Sequence, residues 1–460
     1  MTSRRTKAIR GGGIAGARQV LAGLMSLVTA ILLSRLLGPS DFAIYAICLA
    51  LTVSLAPVSR MGINAWLMSR KYAPEDQHFN IALGGLLAFS IAVALVGVGG
   101  LPLLEKFSNV HGLLGPGIFT VLLLPLEVLS LPAMTRLERD LDYGRVMKIS
   151  LSSQFFGQFS GVILAYLGLG IWGPLIGWLI RSAYTCIACW IAVHRLPRVQ
   201  WNIKILAEML RFGFGHTVST ALNSSRNLII LSVIGQWFGK DAVGVMGLAF
   251  RVVEFITPFR AVVSRIIVPV LAPVSDTTTL MNVAQRKISE MEMLVTIPIA
   301  MCGLGLYSVW APSLLGASWK DSLIVLPWVL AGRILVVPHA AAFSALNVKG
   351  HFRGTIAITA LGLVSAILMI WVLGNAFGLE GAAAATLAFW LPSVMLHWLA
   401  RARLGFAWNY YAQLWAWGGV SACLSLRFGP VFIVIFLLIL FLTWREIRAV
   451  VRDVVGAFQK

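Results

Sequence analysis

The 460-residue chain is 58% hydrophobic and only 12% charged, with a mean hydropathy of +0.85; an ordinary soluble domain carries about 25% charged residues. That excludes a water-soluble protein. The net charge of +19, which in a soluble chain would point to nucleic acid, is claimed here by the membrane, and no nucleic-acid partner is expected.

A hydrocarbon core about 30 Å thick takes about 20 apolar residues per helix, and backbone exposed to lipid must satisfy its own hydrogen bonds. The expected fold is therefore an all-α polytopic membrane protein. In chain order the apolar runs predict spans at 14–37, 42–61, 81–103, 113–134, 147–169 and 171–193. A polar, partly amphipathic stretch at 194–211 intervenes. Six more follow, at 212–237, 243–268, 294–315, 323–346, 355–373 and 382–399, and then two shorter runs at 411–426 and 428–444. That gives about 14 transmembrane helices. Arg4, Arg5, Lys7 and Arg10 ahead of the first run resemble the charged head of a signal peptide, but residues 14–37 are too long an apolar run for one, so the first span is expected to be retained. Cys48, Cys186, Cys189, Cys302 and Cys423 all fall in apolar runs and read as small core residues. The Cys186-x-x-Cys189 spacing has no second pair or histidine partner, and neither a metal nor a cofactor is expected.

Charge placement orients the spans, since cytoplasmic loops collect Lys and Arg. With the N-terminus in the cytoplasm, 27 of the 37 basic residues fall on the cytoplasmic side, in groups such as Arg136, Arg139, Arg145 and Lys148, or Arg195, Arg198, Lys204 and Arg211. Arg35, Lys106, Lys240, Lys320 and Arg427 alone fall outside, and the other five lie within spans. Both termini are expected to be cytoplasmic. The turn Gly38-Pro39-Ser40-Asp41-Phe42 between spans one and two is echoed about 200 residues later by Gly239-Lys240-Asp241-Ala242-Val243 between spans seven and eight, which predicts two six-helix bundles in parallel repeat plus two C-terminal helices. The expected organisation is a first bundle at 1–193, a cytoplasmic linker at 194–211, a second bundle at 212–402, and two extra helices with a cytoplasmic tail at 403–460.

Three segments carry a family resemblance. Residues 33–42 followed by Tyr45 resemble the first hairpin of the polysaccharide transporter family, the Wzx-like lipid-linked oligosaccharide flippases of the multidrug/oligosaccharidyl-lipid/polysaccharide exporter superfamily. Residues 137–143 with 168–175 are similar to that family's cytoplasmic loop and its tight turn before the sixth helix, and residues 346–353 with 378–383 supply a third match. Ala43 stands where a Gly is common and Met246 where an aromatic is common. The resemblance implies a bacterial inner-membrane flippase for a polyprenyl-diphosphate-linked oligosaccharide, working by alternating access within surface polysaccharide biosynthesis beside a polymerase and chain-length machinery. It also implies a central cavity lined by helices one, two, seven and eight.

A charge in mid-helix costs roughly 2.5 to 3.5 kcal/mol even on a lenient insertion scale, so Arg181, Arg226, Arg251, Arg260, Arg333, Glu127 and Glu254 predict a polar interior. Arginine pairs bidentately with phosphate and stays charged. Arg226 and Arg251, deep in spans seven and eight, with Arg18 and Arg60 near the cytoplasmic ends of spans one and two, form a candidate ladder for a diphosphate. Two readings stand for Arg251, the ladder or a pair with Glu254 three residues on; likewise Arg181 or Arg333 could satisfy Glu127. Glu127 and Glu254 are candidate ion-coupling carboxylates. Two rivals come with the reading: a drug exporter of the same superfamily, which should favour an acidic cavity over an arginine-rich one, and a membrane glycosyltransferase, suggested by Asp140-x-Asp142 in a loop too short to hold a catalytic domain. No Walker loop, Gly-x-Ser-x-Gly or His-Glu-x-x-His occurs, and no enzymatic activity is expected.

Overall fold

The breaks in the helices organise the molecule as much as the helices do. The computed structural model describes residues 2–69, 74–195, 197–256 and 278–458, of which about 90% is helix, with no strand among the described residues. We label the principal helices α1 Thr2–Arg60, α2 Ile63–Ser69, α3 Asp76–Ser108, α4 Leu114–Leu122, α5 Leu124–Leu129, α6 Leu131–Arg139, α7 Tyr143–Leu164, α8 Trp172–Val193, α9 Ile203–Ser224, α10 Arg226–Phe238 and α11 Lys240–Ile256. They continue with α12 Thr278–Leu315, α13 Ser322–Val336, α14 Ala340–Val348, α15 Phe352–Ala384, α16 Trp390–Leu404, α17 Tyr410–Phe428, α18 Val431–Leu442 and α19 Trp444–Phe458. Joined across local nicks and divided at turns, the described residues give 14 rods, the number expected from the apolar runs.

The divisions have a shared chemistry. α1 is cut at Gly38 (φ 70°, ψ 173°), and α10 is separated from α11 by Gly239 (φ 85°, ψ 175°), a backbone region that is essentially open to glycine alone. The echoed turns of the sequence thus share a conformation. A second pair matches as well, Gly170 (φ 53°, ψ −128°) before span six and Gly378 (φ 62°, ψ −141°) inside α15. Each turn on the arginine-poor side contains a positive-φ glycine, the remaining ones being Gly112, Gly316 and Gly429.

The chain packs as two compact units, Met1–Leu248 and Ala249–Lys460. In the first, the two repeat-related turns touch: Ser40 Oγ donates to Asp241 Oδ1, and Gly244 lies directly against the Pro39 carbonyl. Gly157 and Gly161 of α7 face Gly173 and Gly177 of α8, backbone on backbone; a Cβ at Gly157 would sit 2.7 Å from the Gly177 oxygen, the close approach that small residues permit between membrane helices. In the second unit the buried residues Ala342, Leu346, Leu396, Ala400 and Phe406 form one cluster. Above it His339 and His397, each 2% exposed, face one another at 5.3 Å between ring centroids, with Trp408 against both.

Several boundaries differ from expectation; the ninth rod, for one, starts at Thr278, sixteen residues before the predicted 294. The seventh rod starts at Ile203, nine residues before the predicted 212, because Asn202 caps it by accepting hydrogen bonds from the backbone N–H groups of Lys204 and Ile205. Leu206, Met209 and Leu210 then bury against Ile63, Trp66, Leu67 and Phe79, so half of the polar stretch is an amphipathic helix extension. Span four is three short helices, α4 to α6, with Pro125 and Pro132 at the starts of the second and third, as proline's missing N–H dictates. The end of the predicted eighth span, 257–268, lies outside the described residues, as does Arg260. The five cysteines are free: Cys48, Cys189 and Cys423 buried, Cys186 half-buried, Cys302 exposed.

Candidate functional site: intramembrane charges

Arg226 opens α10, immediately after the break at Ser225 that interrupts span seven. The break carries no proline or glycine. Ser225 turns its hydroxyl back to the Ala221 carbonyl at 2.8 Å, and Ser54 of span two, bonded to the Ala50 carbonyl at 2.6 Å, also reaches the Ser224 carbonyl at 3.5 Å. The Ala221 carbonyl accepts the Ser225 backbone N–H as well, at 2.9 Å, so hydroxyls supplement the backbone bonds at the break, one way non-ideal helix is tolerated at membrane depth. Arg226 is half-buried there. Arg60 is exposed at the end of α1, on the rod that contains Ser54, so these two members of the predicted ladder lie on neighbouring rods of one unit. The backbone of Arg18 is in α1, and its side chain lies outside the described residues.

Arg251, about one-quarter exposed, lies with Nη1 3.4 Å from Glu254 Oε2, while Glu254 is more than half exposed. Both open readings of Arg251 meet in this contact: it touches the carboxylate, loosely, and keeps exposed surface. An i,i+3 pair this open is worth a few tenths of a kcal/mol. Arg251 and Glu254 belong to the second unit, Arg60 and Arg226 to the first.

Glu127 is half-buried at the kinked span four and accepts the indole N–H of Trp178 on α8 at 2.8 Å. An indole, rather than Arg181 or Arg333, is its observed partner. Arg181 is exposed, with its Cβ packed on Gly157, and Arg333 is half-buried. His216 is exposed, and the buried His339 has its Nε2 2.5 Å from Gln413 Nε2. No group of three metal-ligating side chains occurs among the described residues.

Sequence reasoning passed over a polar seam between spans one and five. Gln154 Nε2 donates to the Ala22 carbonyl at 2.7 Å and to Ser26 Oγ at 3.0 Å, Gln158 Nε2 donates to the same Ser26 oxygen at 3.0 Å, and Thr29 donates to Gln158 Oε1 at 3.3 Å. The signal was present: two glutamines four residues apart inside an apolar run share one helix face. A second omission is Glu380 in the turn before span twelve, which holds Arg427 by two hydrogen bonds of 2.8 and 3.0 Å and accepts the Trp328 indole N–H at 3.1 Å. Its neighbour Arg427 keeps the carboxyl below the usual carboxylate range, with burial opposing and Trp328 assisting.

Against known proteins the chain has clear relatives. It is 25% identical over 375 residues to the succinoglycan biosynthesis transport protein ExoT of Rhizobium meliloti (strain 1021), covering 78% of this chain and 70% of that protein. It is 23% identical over 316 residues to the teichuronic acid biosynthesis protein TuaB of Bacillus subtilis (strain 168), covering 65% and 62% respectively. Among solved structures, the lipid II flippase MurJ in an inward closed conformation superposes with a TM-score of 0.69 over 95% of this chain and 99% of its own, at 15% identity. An inward-facing multidrug resistance MATE transporter of the MOP superfamily gives 0.56 over 86% and 94%, at 17% identity. Both likenesses establish a MurJ/MATE-like transporter fold. With residues 32–324 matching the profile of the family described as "Polysaccharide biosynthesis protein", the chain belongs to that family, as a multi-pass membrane protein with the fold of a transporter.

Proposed function

We propose that the protein is a flippase that carries a polyprenyl-diphosphate-linked oligosaccharide from the cytoplasmic to the external leaflet of the bacterial inner membrane by alternating access, without covalent chemistry. Both termini face the cytoplasm in this reading, the six-helix repeats at 1–193 and 212–402 form its two halves, and a polymerase with chain-length machinery receives the product. The observation that carries it is Arg226: a half-buried guanidinium at a helix break beside span two, in a family of polysaccharide biosynthesis proteins. A guanidinium at that depth suits a diphosphate and repels a cationic drug. Arg18, Arg60 and Arg251 complete the path, and Glu127 and Glu254 are the carboxylates available for proton coupling.

Each arginine–phosphate contact is a charge-assisted hydrogen bond worth roughly 1.5 to 3 kcal/mol. In a strain lacking the chromosomal copy, Arg226→Gln and Arg251→Gln at normal membrane levels therefore cut surface polysaccharide strongly and leave lipid-linked oligosaccharide in the inner leaflet, while the Lys variants recover part. Full activity of both Gln variants refutes the diphosphate path. If Arg251 merely neutralised Glu254, the double change to Gln would restore what the single one destroys; no rescue is expected. The Ser40–Asp241 contact supplies the test of alternating access, since joining the repeat-related turns through Ser40→Cys and Asp241→Cys should arrest transport under oxidation and release it on reduction. Undiminished transport by the cross-linked protein overturns that mechanism.

A further inference from the structure

A cavity of about 450 Å³ lies at the arginine-rich ends of spans three, four and six, wholly within the first unit. Its floor is apolar span residue, with Phe79, Pro132 and Trp190 among the walls. Trp190 spends its indole N–H on the Leu129 carbonyl at 2.9 Å, so it presents a ring and not a donor. Over that floor stand basic groups from two separate loops. Arg136, in the last turn of α6, lies with its guanidinium carbon 4.3 Å from the centre of the Phe79 ring and donates from Nη2 to Asp76 Oδ1 at 2.7 Å. Arg195, just past α8, reaches the other oxygen of the same carboxylate. Arg198 and His194 complete the rim.

One carboxylate therefore serves two guanidiniums, and Arg198 adds a third cation. Among the lining residues the arginines outnumber the carboxylate by two, with Asp140 acting on Arg136 from outside the lining. Burial pulls the Arg136 pKa down from its ordinary value, with Asp140 opposing; arginine stays charged throughout the physiological range all the same. A cation already stripped of part of its water gains more from an arriving anion than an exposed one does. The apolar floor would be wasted on a free ion. A basic pocket between transmembrane helices at headgroup depth suits a phosphate ester that brings hydrocarbon with it.

We propose that this cavity binds the phosphate of an anionic lipid, its headgroup clamped by Arg195 and Arg198 above the Arg136–Asp76 pair and its hydrocarbon laid along the ends of spans three, four and six. The site goes beyond the proposed transport reading and needs only a membrane-embedded chain. Two lipids share this chemistry: a bulk phospholipid of the inner leaflet and the diphosphate lipid of the cargo.

Native mass spectrometry of the purified full chain, titrated separately with phosphatidylglycerol, a polyprenyl diphosphate, phosphatidylcholine and inorganic phosphate, tests it. Saturable adducts are expected with at least one anionic lipid and not with phosphatidylcholine. Preference for phosphatidylglycerol assigns the site to bulk lipid; preference for the polyprenyl diphosphate assigns it to the cargo. The double variant Arg195→Gln/Arg198→Gln should weaken the adduct at least tenfold, and Arg198→Glu, which leaves the Asp76 cluster intact, should weaken it as well at an unchanged unfolding temperature. Unchanged binding in both variants, equal binding of phosphatidylcholine, or saturation by inorganic phosphate with no lipid adduct overturns the proposal. Adducts are read without transport, so that result leaves the flippase reading standing, and failure of export in cells leaves the adduct measurement standing.

Discussion

Between α7 and α8 four glycines bring two backbones into contact, whereas around His339 the rods of the second unit are held by rings, with His339, His397 and Trp408 in mutual contact and Trp390 edge-on to Trp417 at 5.4 Å. The first region gains its cohesion from dispersion between closely apposed main chains. The second gains it from side chains large enough to fill a wider gap, and it leaves the Nδ1 atoms of both histidines without a protein partner. Lipid is as apolar as leucine, so neither region is driven together by burial of apolar surface, and packing and hydrogen bonds must do it. The two regions should therefore fail differently: the glycine seam to an added methyl, the ring cluster to a lost polar handle.

The sharpest way to break the comparison is to add bulk on both sides. Gly177→Val drives a side chain into the Gly157 carbonyl and the Gly161 backbone, where nothing can yield, and a loss of at least the ~1–3 kcal/mol typical of overpacking is expected, seen as a lowered unfolding temperature and membrane level. Gly419→Ala in the second unit meets Ile297 Cγ1 and Ile334 Cγ2 at 3.1 Å, side-chain ends that can shift, and should cost well under 1 kcal/mol. Equal losses would erase the distinction.

Next comes the polar handle. Trp415, 1% exposed, donates its indole N–H to Thr443 Oγ1 at 2.8 Å, tying span thirteen to the end of span fourteen. Trp415→Phe removes the bond and some volume, while the threonine hydroxyl keeps its own bond to the Ile439 carbonyl at 2.7 Å; a loss of about 1 kcal/mol is expected, measurable as a lower unfolding temperature in detergent. A smaller effect, near the roughly 0.6 kcal/mol average for hydrogen bonds between membrane helices, is expected of Gln154→Leu in the first unit, because Gln158 keeps its own bond to Ser26.

These contacts also mark what a sequence discloses. Spans are legible because the bilayer fixes the length of every apolar run, and Gly38 and Gly239 were legible as turns because their neighbours repeat. Pro125 and Pro132 stand in the sequence where the structure nicks span four. Nothing announced the break at Ser225, where the chain has neither proline nor glycine, and Glu127 pairing with Trp178 rather than an arginine depends on which faces meet after α4 and α5 kink. Charge identities could be listed in advance; the partner of each could not, since a carboxylate in a bundle accepts from whichever donor the packing delivers. The cavity by Arg136 was hidden for another reason: its arginines were counted only as part of the loop bias, a sum that discards position.

The smallest expected effect is the pH dependence of the Glu380–Arg427 strap, which joins the turn before span twelve to the end of α17 through an ion pair, with the Trp328 indole as a further donor. The carboxyl of Glu380 is held below its ordinary 4.5 chiefly by Arg427. A carboxyl lowered in the folded state adds stability above its unfolded value and loses it as pH falls through the folded one. The difference in unfolding temperature between wild type and Glu380→Gln should be small and constant above roughly pH 5 and should close below the ordinary carboxylate range. A difference that widened on acidification would contradict the pairing.

The turn glycines hold a record of spacing. Gly38 and Gly239 are 201 residues apart, Gly112 and Gly316 are 204, and Gly170 and Gly378 are 208, so the second copy has lengthened by three residues and then by four. Each increment is close to one 3.6-residue helical turn. An addition of that size lengthens a rod by about 5 Å yet returns its faces to nearly the same heading, whereas two residues would swing everything beyond them by about 200°. Wherever between those glycines the additions lie, three or four residues are the increments a helix takes up with the least rotation of its faces.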